Sequence, residues 1–248
     1  MRAFIVLSLI ITIMGLNMPP KLYPYDPRIH SLGNIGIKGK IHAKLAPYFT
    51  KAIDIIAYGG VDVRSQELET YTNKTVLDFG CGTGFSTSVN KNCLGIDTSK
   101  EMIDEAKKLF PDKCFAGGHA ETFDPIDEYD IVTCMFLLHE VPSICRKRII
   151  ENAISIANEK VVILDIAPVY KPSTMMLEGE PYLPDYLNNI SIELAEQGFI
   201  ENVIVKGHVH KWCYTKNTPF KVKPIVTPIY SRRNDSSLDY RGVPKIDF

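Results

Sequence analysis

Val76-Leu77-Asp78-Phe79-Gly80-Cys81-Gly82-Thr83-Gly84 runs a short apolar stretch into three glycines at alternate positions. The apolar stretch reads as a buried strand. The glycines read as a turn whose bare backbone approaches a small molecule that any side chain would hold off. Two nucleotide-like ligands compete for such a loop. A dinucleotide site repeats glycine as GxGxxG, so that phosphates meet main chain and a third small residue lets the helix pack on the strand. Here Phe85 stands in that third position. Asp78 would repel a pyrophosphate, whereas it suits a ligand that carries an ammonium and a sulfonium.

Downstream, Cys93-Leu94-Gly95-Ile96-Asp97 ends a second apolar run in an acid, seventeen residues after Gly80. An α/β nucleotide fold places its ribose acceptor at about this distance, so Asp97 is the expected ribose ligand. Thr98-Ser99-Lys100-Glu101 has capping-box spacing, with Thr98 as N-cap of a helix that runs to Phe110 before Pro111. The stretch Tyr129 to Met135 and the continuous run Val161-Val162-Ile163-Leu164-Asp165 read as buried strands of a parallel sheet. A helix through Leu187, Ile190 and Leu194 stops at Gly198, and the segments 199–205 and 209–215 read as a closing strand pair.

With these elements in place, the chain resembles the class I S-adenosylmethionine-dependent methyltransferases of the small-molecule type, from about Thr75 to Lys216. The family's D/ExGxGxG loop is matched by Asp78, Gly80, Gly82 and Gly84, with Cys81 inside it, and its second-strand acid by Asp97 followed by Thr98. The Asp-Ala pair that the family sets beside adenine falls on His119-Ala120, a departure from the pattern. The fourth strand and the loop after it, through Phe136, His139, Glu140 and Pro142, match closely. The resemblance implies a Rossmann-like, doubly wound seven-stranded sheet with a terminal antiparallel strand and α-helices on both faces. It also implies S-adenosyl-L-methionine as cofactor, held by Asp78, Gly80, Cys81, Gly82, Gly84, Asp97, Thr98, His119 and Ala120, with Phe136 against adenine or the methyl donor.

Net charge is −1 and nothing marks a strongly basic face, which argues against a nucleic-acid partner. Six cysteines without a CxxC pair read as reduced structural thiols. Residues 1–16 carry an uncharged apolar run, Ala3 to Leu16, behind one basic residue and read as an anchor or signal. As a helix this run would reach about 21 Å against a hydrocarbon core of about 30 Å. Residues 17–65 read as a lid and helical extension, 66–216 as the methyltransferase domain, and 217–248 as an extended, proline-rich basic tail. Within the extension, Ile41, Leu45, Phe49, Ile53 and Ile56 recur at helical spacing ahead of Gly59-Gly60. Tyr25, His30, Tyr58 and Arg64 are lid candidates, with Arg64 opposite the methionine carboxylate.

Methyl transfer from a sulfonium is an in-line displacement governed mainly by alignment, and only some acceptors need a base. His139, at the exit of the fourth strand, is the candidate general base, ahead of Asp165 and Glu140. His208, His210 and Trp212 are expected on one strand face, as an exposed face or a substrate wall; no metal is expected. The fourth-strand loop lacks a (D/N)PPY clamp and the paired glutamates of an arginine methylase, and no acid cluster follows Asp165. What remains is a small-molecule or lipid acceptor, for an enzyme bound to the membrane by its N-terminal segment with its catalytic domain in the cytoplasm, or a soluble cytoplasmic one. The alternatives are a cofactor-binding interaction module without turnover and, more distantly, a dinucleotide oxidoreductase.

Overall fold

In a computed structural model of the protein, which describes residues 33–90 and 92–216, seven strands form one sheet. They are β1 (Val76–Phe79), β2 (Leu94–Asp97), β3 (Phe115–Gly117), β4 (Tyr129–Met135), β5 (Ala157–Ile166), β6 (Ile200–Val205) and β7 (Val209–Thr215), in the spatial order 3-2-1-4-5-7-6. Strands β1 to β5 pair in parallel, and β7 inserts antiparallel between β5 and β6. The antiparallel strand is thus last in the chain yet interior to the sheet. The helices are α1 (Gly36–Ile56), α2 (Val63–Glu69), α3 (Lys100–Leu109), α4 (Ser143–Ile156), α5 (Thr174–Gly179) and α6 (Leu183–Glu196), with a 3-10 turn over Leu138–Glu140.

Alternation along β5 decides how the layers pack. Val161 and Ile163 join β1 and β4 in a core with Ile149 and Ala153 of α4 and Leu183, Ile190 and Leu194 of α6. Their neighbours Val162 and Leu164 point to the other face, where Tyr71 and Val63 of the α2 region meet them. A strand covered on both faces reads as an unbroken apolar run, as Val161 to Leu164 do. Arg146 of α4, fully buried, ties this layer together by donating to Glu193, to Asp185 and, through Nη1, to the Val141 carbonyl at 3.0 Å. It thereby holds the loop that follows β4.

The expected capping box lies one residue out of register. Ser99, not Thr98, caps α3: its hydroxyl accepts from Met102 N–H at 3.1 Å and donates to the Asn34 carbonyl at 2.5 Å. The second bond is tertiary, joining α3 to the chain ahead of α1, and no local pattern could announce it. Glu101 is turned outward from its own helix start and accepts from Gly36 N–H at 2.9 Å. All six cysteines are free. The anchor segment 1–16, the lid residues Tyr25 and His30 and the tail 217–248 lie outside the described residues. Among those described, no helix is long and apolar enough to cross a membrane.

Because Ser99 both caps α3 and bonds Asn34, Ser99→Ala is expected to lower stability by about 1 kcal/mol or more, while Thr98→Ala stays near neutral. Chemical denaturation of the two variants checks the register of the cap.

Candidate active site

The C-terminal ends of β1, β2 and β4 open on one cleft of about 720 Å³, solvent at its mouth included. Gly80, Asp97, Thr98, His119, Ala120 and Leu137 line it, together with Glu121, Glu140 and Asn34. Gly80 has φ 73°, and a Cβ there would lie 2.7 Å from the Leu137 side chain, so only glycine keeps both the turn and the neighbouring wall. Asp97 organises the opposite rim. Its Oδ2 accepts from Gly82 N–H at 2.9 Å and its Oδ1 from Ser99 N–H at 2.8 Å. Each oxygen keeps a further lone pair for a ligand hydroxyl. Burial pushes the Asp97 carboxyl up to about 6 against the pull of those two N–H groups.

Three of the expected ligand residues spend their side-chain positions on the protein's own interior. Asp78 does not face the cleft: fully buried, it accepts from Ser86 and Thr87 hydroxyls at 2.7 Å each and from Thr133 at 3.0 Å. Burial raises it to about 6, with the three hydroxyls opposing. Its work is to hold the glycine loop against β4. Gly84 is likewise a packing residue, since a Cβ would meet the Phe115 ring at 2.6 Å. Cys81 has its side chain buried among Ile103, Ala106 and Phe115.

The His139 imidazole is engaged by the protein's own interior as well. It is buried, its Nδ1 lies 2.6 Å from Asp165 Oδ1, and its ring meets Tyr186 edge-on. Burial disfavours its protonation, but the Asp165 carboxylate and the hydrogen bond outweigh this and raise it to about 9. Asp165 also accepts from Leu138 N–H at 2.9 Å and Ile166 N–H at 2.7 Å. The pair thus fastens the 3-10 turn to β5 and sets Leu137 and Glu140 at the cleft.

Phe136 departs from its expected place as well. It has φ 58°, a left-handed backbone that costs a bulky residue on the order of 1–3 kcal/mol. Its ring stacks on Tyr58 with centroids 6.3 Å apart and carries the Arg64 guanidinium at 4.7 Å. Arg64 is itself committed to Asp54 at 2.9 Å, so it is not poised for a methionine carboxylate. His208 packs against Tyr58 at 6.4 Å and Tyr170 at 5.6 Å. It precedes β7, so it does not share a strand face with His210, which pairs with Glu201, or with the buried Trp212. Tyr58, Phe136, Tyr170 and His208 therefore form an aromatic wall one residue from Leu137. The sequence marked Tyr58 and Phe136 for other tasks and gave no signal for Tyr170, which follows β5 in a loop. Among the described residues no three His, Cys, Asp or Glu side chains are grouped to hold a metal ion.

The donor set of the cleft fits S-adenosylmethionine. Asp97, Glu121 and Glu140 line it with no lysine or arginine among the lining residues, so a cationic ligand is favoured and a pyrophosphate repelled. Asp97→Ala is expected to weaken S-adenosylmethionine binding about a hundredfold or more, from two hydrogen bonds to a charged group at about 1.5–3 kcal/mol each. The cofactor favours the ionised carboxylate, so affinity should fall as pH drops through about 6, and Asp97→Asn should flatten that dependence in calorimetry. For His139 the folded pKa lies above the unfolded one. Its contribution is therefore complete below about 6.5 and lost as pH rises through about 9. His139→Gln strands a buried carboxylate and should cost about 3–5 kcal/mol near neutral pH, a deficit that shrinks toward pH 9 in denaturant unfolding.

A family model described as "Methyltransferase domain" matches residues 76–167. A ubiquinone biosynthesis O-methyltransferase of Hydrogenovibrio crunogenus is 37% identical over 89 residues, 31% of this chain and 36% of that protein. An uncharacterized methyltransferase of Bacillus subtilis is 30% identical over 127 residues, 47% of this chain and 46% of that protein. The chain thus spans less than half the length of these two relatives. Among solved structures, an S-adenosylmethionine-dependent methyltransferase from Thermotoga maritima superposes with a TM-score of 0.51 at 14% identity, over 71% of this chain and 98% of that one. The fold, the acidic cleft and the matched segment agree: residues 76–167 match a methyltransferase domain, and the cleft they build fits S-adenosylmethionine.

Proposed function

We propose that the protein transfers the methyl group of S-adenosylmethionine to a small apolar or lipidic acceptor at a membrane surface. The observation that carries this reading is the aromatic wall of Tyr58, Phe136, Tyr170 and His208 beginning one residue from the cofactor cleft at Leu137. Such a wall offers aromatic surface to an apolar or planar acceptor, and the Arg64 guanidinium over the Phe136 ring is already paired with Asp54. The similarity to a ubiquinone biosynthesis O-methyltransferase agrees with an apolar acceptor.

The cofactor supplies an electrophilic methyl on a sulfonium. The protein's own residues do the rest by binding and orientation. Asp97 takes the ribose hydroxyls, Gly80 leaves room at the turn, and His119 and Ala120 flank the base. The His139–Asp165 pair positions the turn that carries Leu137 and Glu140. Phe136, held in its strained conformation by Arg64, Tyr58 and its N–H bond to the Leu164 carbonyl at 2.8 Å, aims the wall at the reacting end. Burial pushes the Tyr58 phenol up to about 12, with Arg64 opposing, so it keeps its proton and does not serve as a base. His208 is the imidazole on the wall and the group for a proton released by an oxygen or nitrogen acceptor.

The full chain, given radiolabelled S-adenosylmethionine and a membrane lipid extract, is expected to label an organic-soluble product. Phe136→Ala and His208→Ala should cut that labelling tenfold or more and leave calorimetric affinity for S-adenosylhomocysteine within about twofold. Labelling confined to water-soluble acceptors overturns the apolar reading; tight cofactor binding without transfer to any fraction favours a binding module without turnover.

A further inference from the structure

The strongest unexplained surface is the outer face of α1. Only Gly39, His42, Ala43 and Asp54 of this 21-residue helix are buried. Ile37, Ile41, Leu45, Tyr48, Phe49 and Ile56 stand between 39% and 84% exposed. At 100° per residue these six fall within one arc of about 120°. Of the four lysines of the helix, Lys40, Lys44 and Lys51 fall along a single edge of that arc and Lys38, in the first turn, falls within it, while the one acid, Asp54, is buried and paired with Arg64. A wide apolar stripe bordered by lysines, with no acid on it, matches an interfacial helix whose apolar side enters the boundary of a bilayer while its cations meet anionic headgroups.

From this we infer that α1 is the docking face of the protein and that its occupant is an anionic lipid surface. The inference deepens the proposed membrane-associated function and rests on it. Both ends of α1 border the site. Ahead of it, Asn34 lines the cofactor cleft and is bonded to Ser99. Past its C-terminus, Tyr58 stacks on Phe136. A bilayer against the outer face therefore lies beside the aromatic wall, and an apolar acceptor reaches the wall without crossing water.

The chain has one tryptophan, Trp212, and it is buried in the sheet, so a second one reports on its own surroundings. In full-length Tyr48→Trp, adding phosphatidylcholine–phosphatidylserine vesicles is expected to shift the new emission to the blue, and brominated phosphatidylcholine in the same vesicles to quench it. Phosphatidylcholine alone should do much less. Replacing Lys40, Lys44 and Lys51 by Gln should lower partition about a hundredfold, from roughly 1 kcal/mol per lysine. Vesicle co-sedimentation without shift or quenching at residue 48 would overturn the inference, since another segment would then hold the membrane. Emission already blue-shifted without vesicles would overturn it too, a concentration-dependent shift naming a second copy as the occupant and a concentration-independent one the chain's own remaining segments. Calorimetry with S-adenosylhomocysteine on the same variants separates failure of docking, which leaves cofactor affinity intact, from failure of the methyltransferase reading, which does not.

Discussion

Everything at the cleft depends on a carboxylate that never touches it. Asp78 sits at zero exposure at the end of β1 and gathers the hydroxyls of Ser86 and Thr87 from beyond the glycine turn and of Thr133 from β4. Burying a carboxylate is costly unless its lone pairs are met, and the raised pKa records the residual cost. What the bonds fix is the path of residues 80–87. With that path set, Gly82 N–H reaches Asp97, Gly80 faces Leu137, and the rim of the cleft has one shape before any ligand arrives.

The same device recurs across the sheet. Asp78, Asp97 and Asp165 each stand at or near the C-terminal end of a parallel strand, and each divides its oxygens between groups at its own strand's exit and groups from a neighbouring strand or the segment after it. They differ in what is left over. Asp78 meets three hydroxyls and Asp165 two N–H groups and an imidazole, both away from the cleft, whereas Asp97 meets two N–H groups and lines the cleft with lone pairs to spare. One residue type in equivalent positions thus gives two fasteners and one ligand-facing carboxylate.

This explains what the sequence made legible. An acid closing an apolar run is visible in the chain, and so are β1, β4 and β5, because strands buried on both faces leave unbroken apolar runs. Which acid meets the ligand is not visible, since it depends on whether hydroxyls from distant segments, such as Thr133 for Asp78, have already filled it. For the same reason His139 read as a base: the sequence puts an imidazole at the right strand exit but cannot show Asp165, 26 residues on, claiming it. Capping-box spacing pointed to Thr98, and the bond that goes with Ser99 instead reaches the Asn34 carbonyl, 65 residues away in sequence.

Helix α1 shows the limit from the other side. Its spacing of Ile41, Leu45, Phe49 and Ile53 correctly predicted a helix, yet periodicity reports only which side chains share a face and nothing about what covers it. The structure turns that face outward while pinning the helix at both ends, through Gly36 N–H to Glu101 and through Asp54 to Arg64. A helix held at its ends and uncovered along its outer side cannot change what it meets without moving the groups it is pinned to. Whatever surface binds there acts on Glu101 of α3, beside the cofactor cleft, and on Arg64, over the Phe136 ring. On the inferred docking, the orientation of the cleft relative to that surface would follow from how α1 is pinned at its two ends.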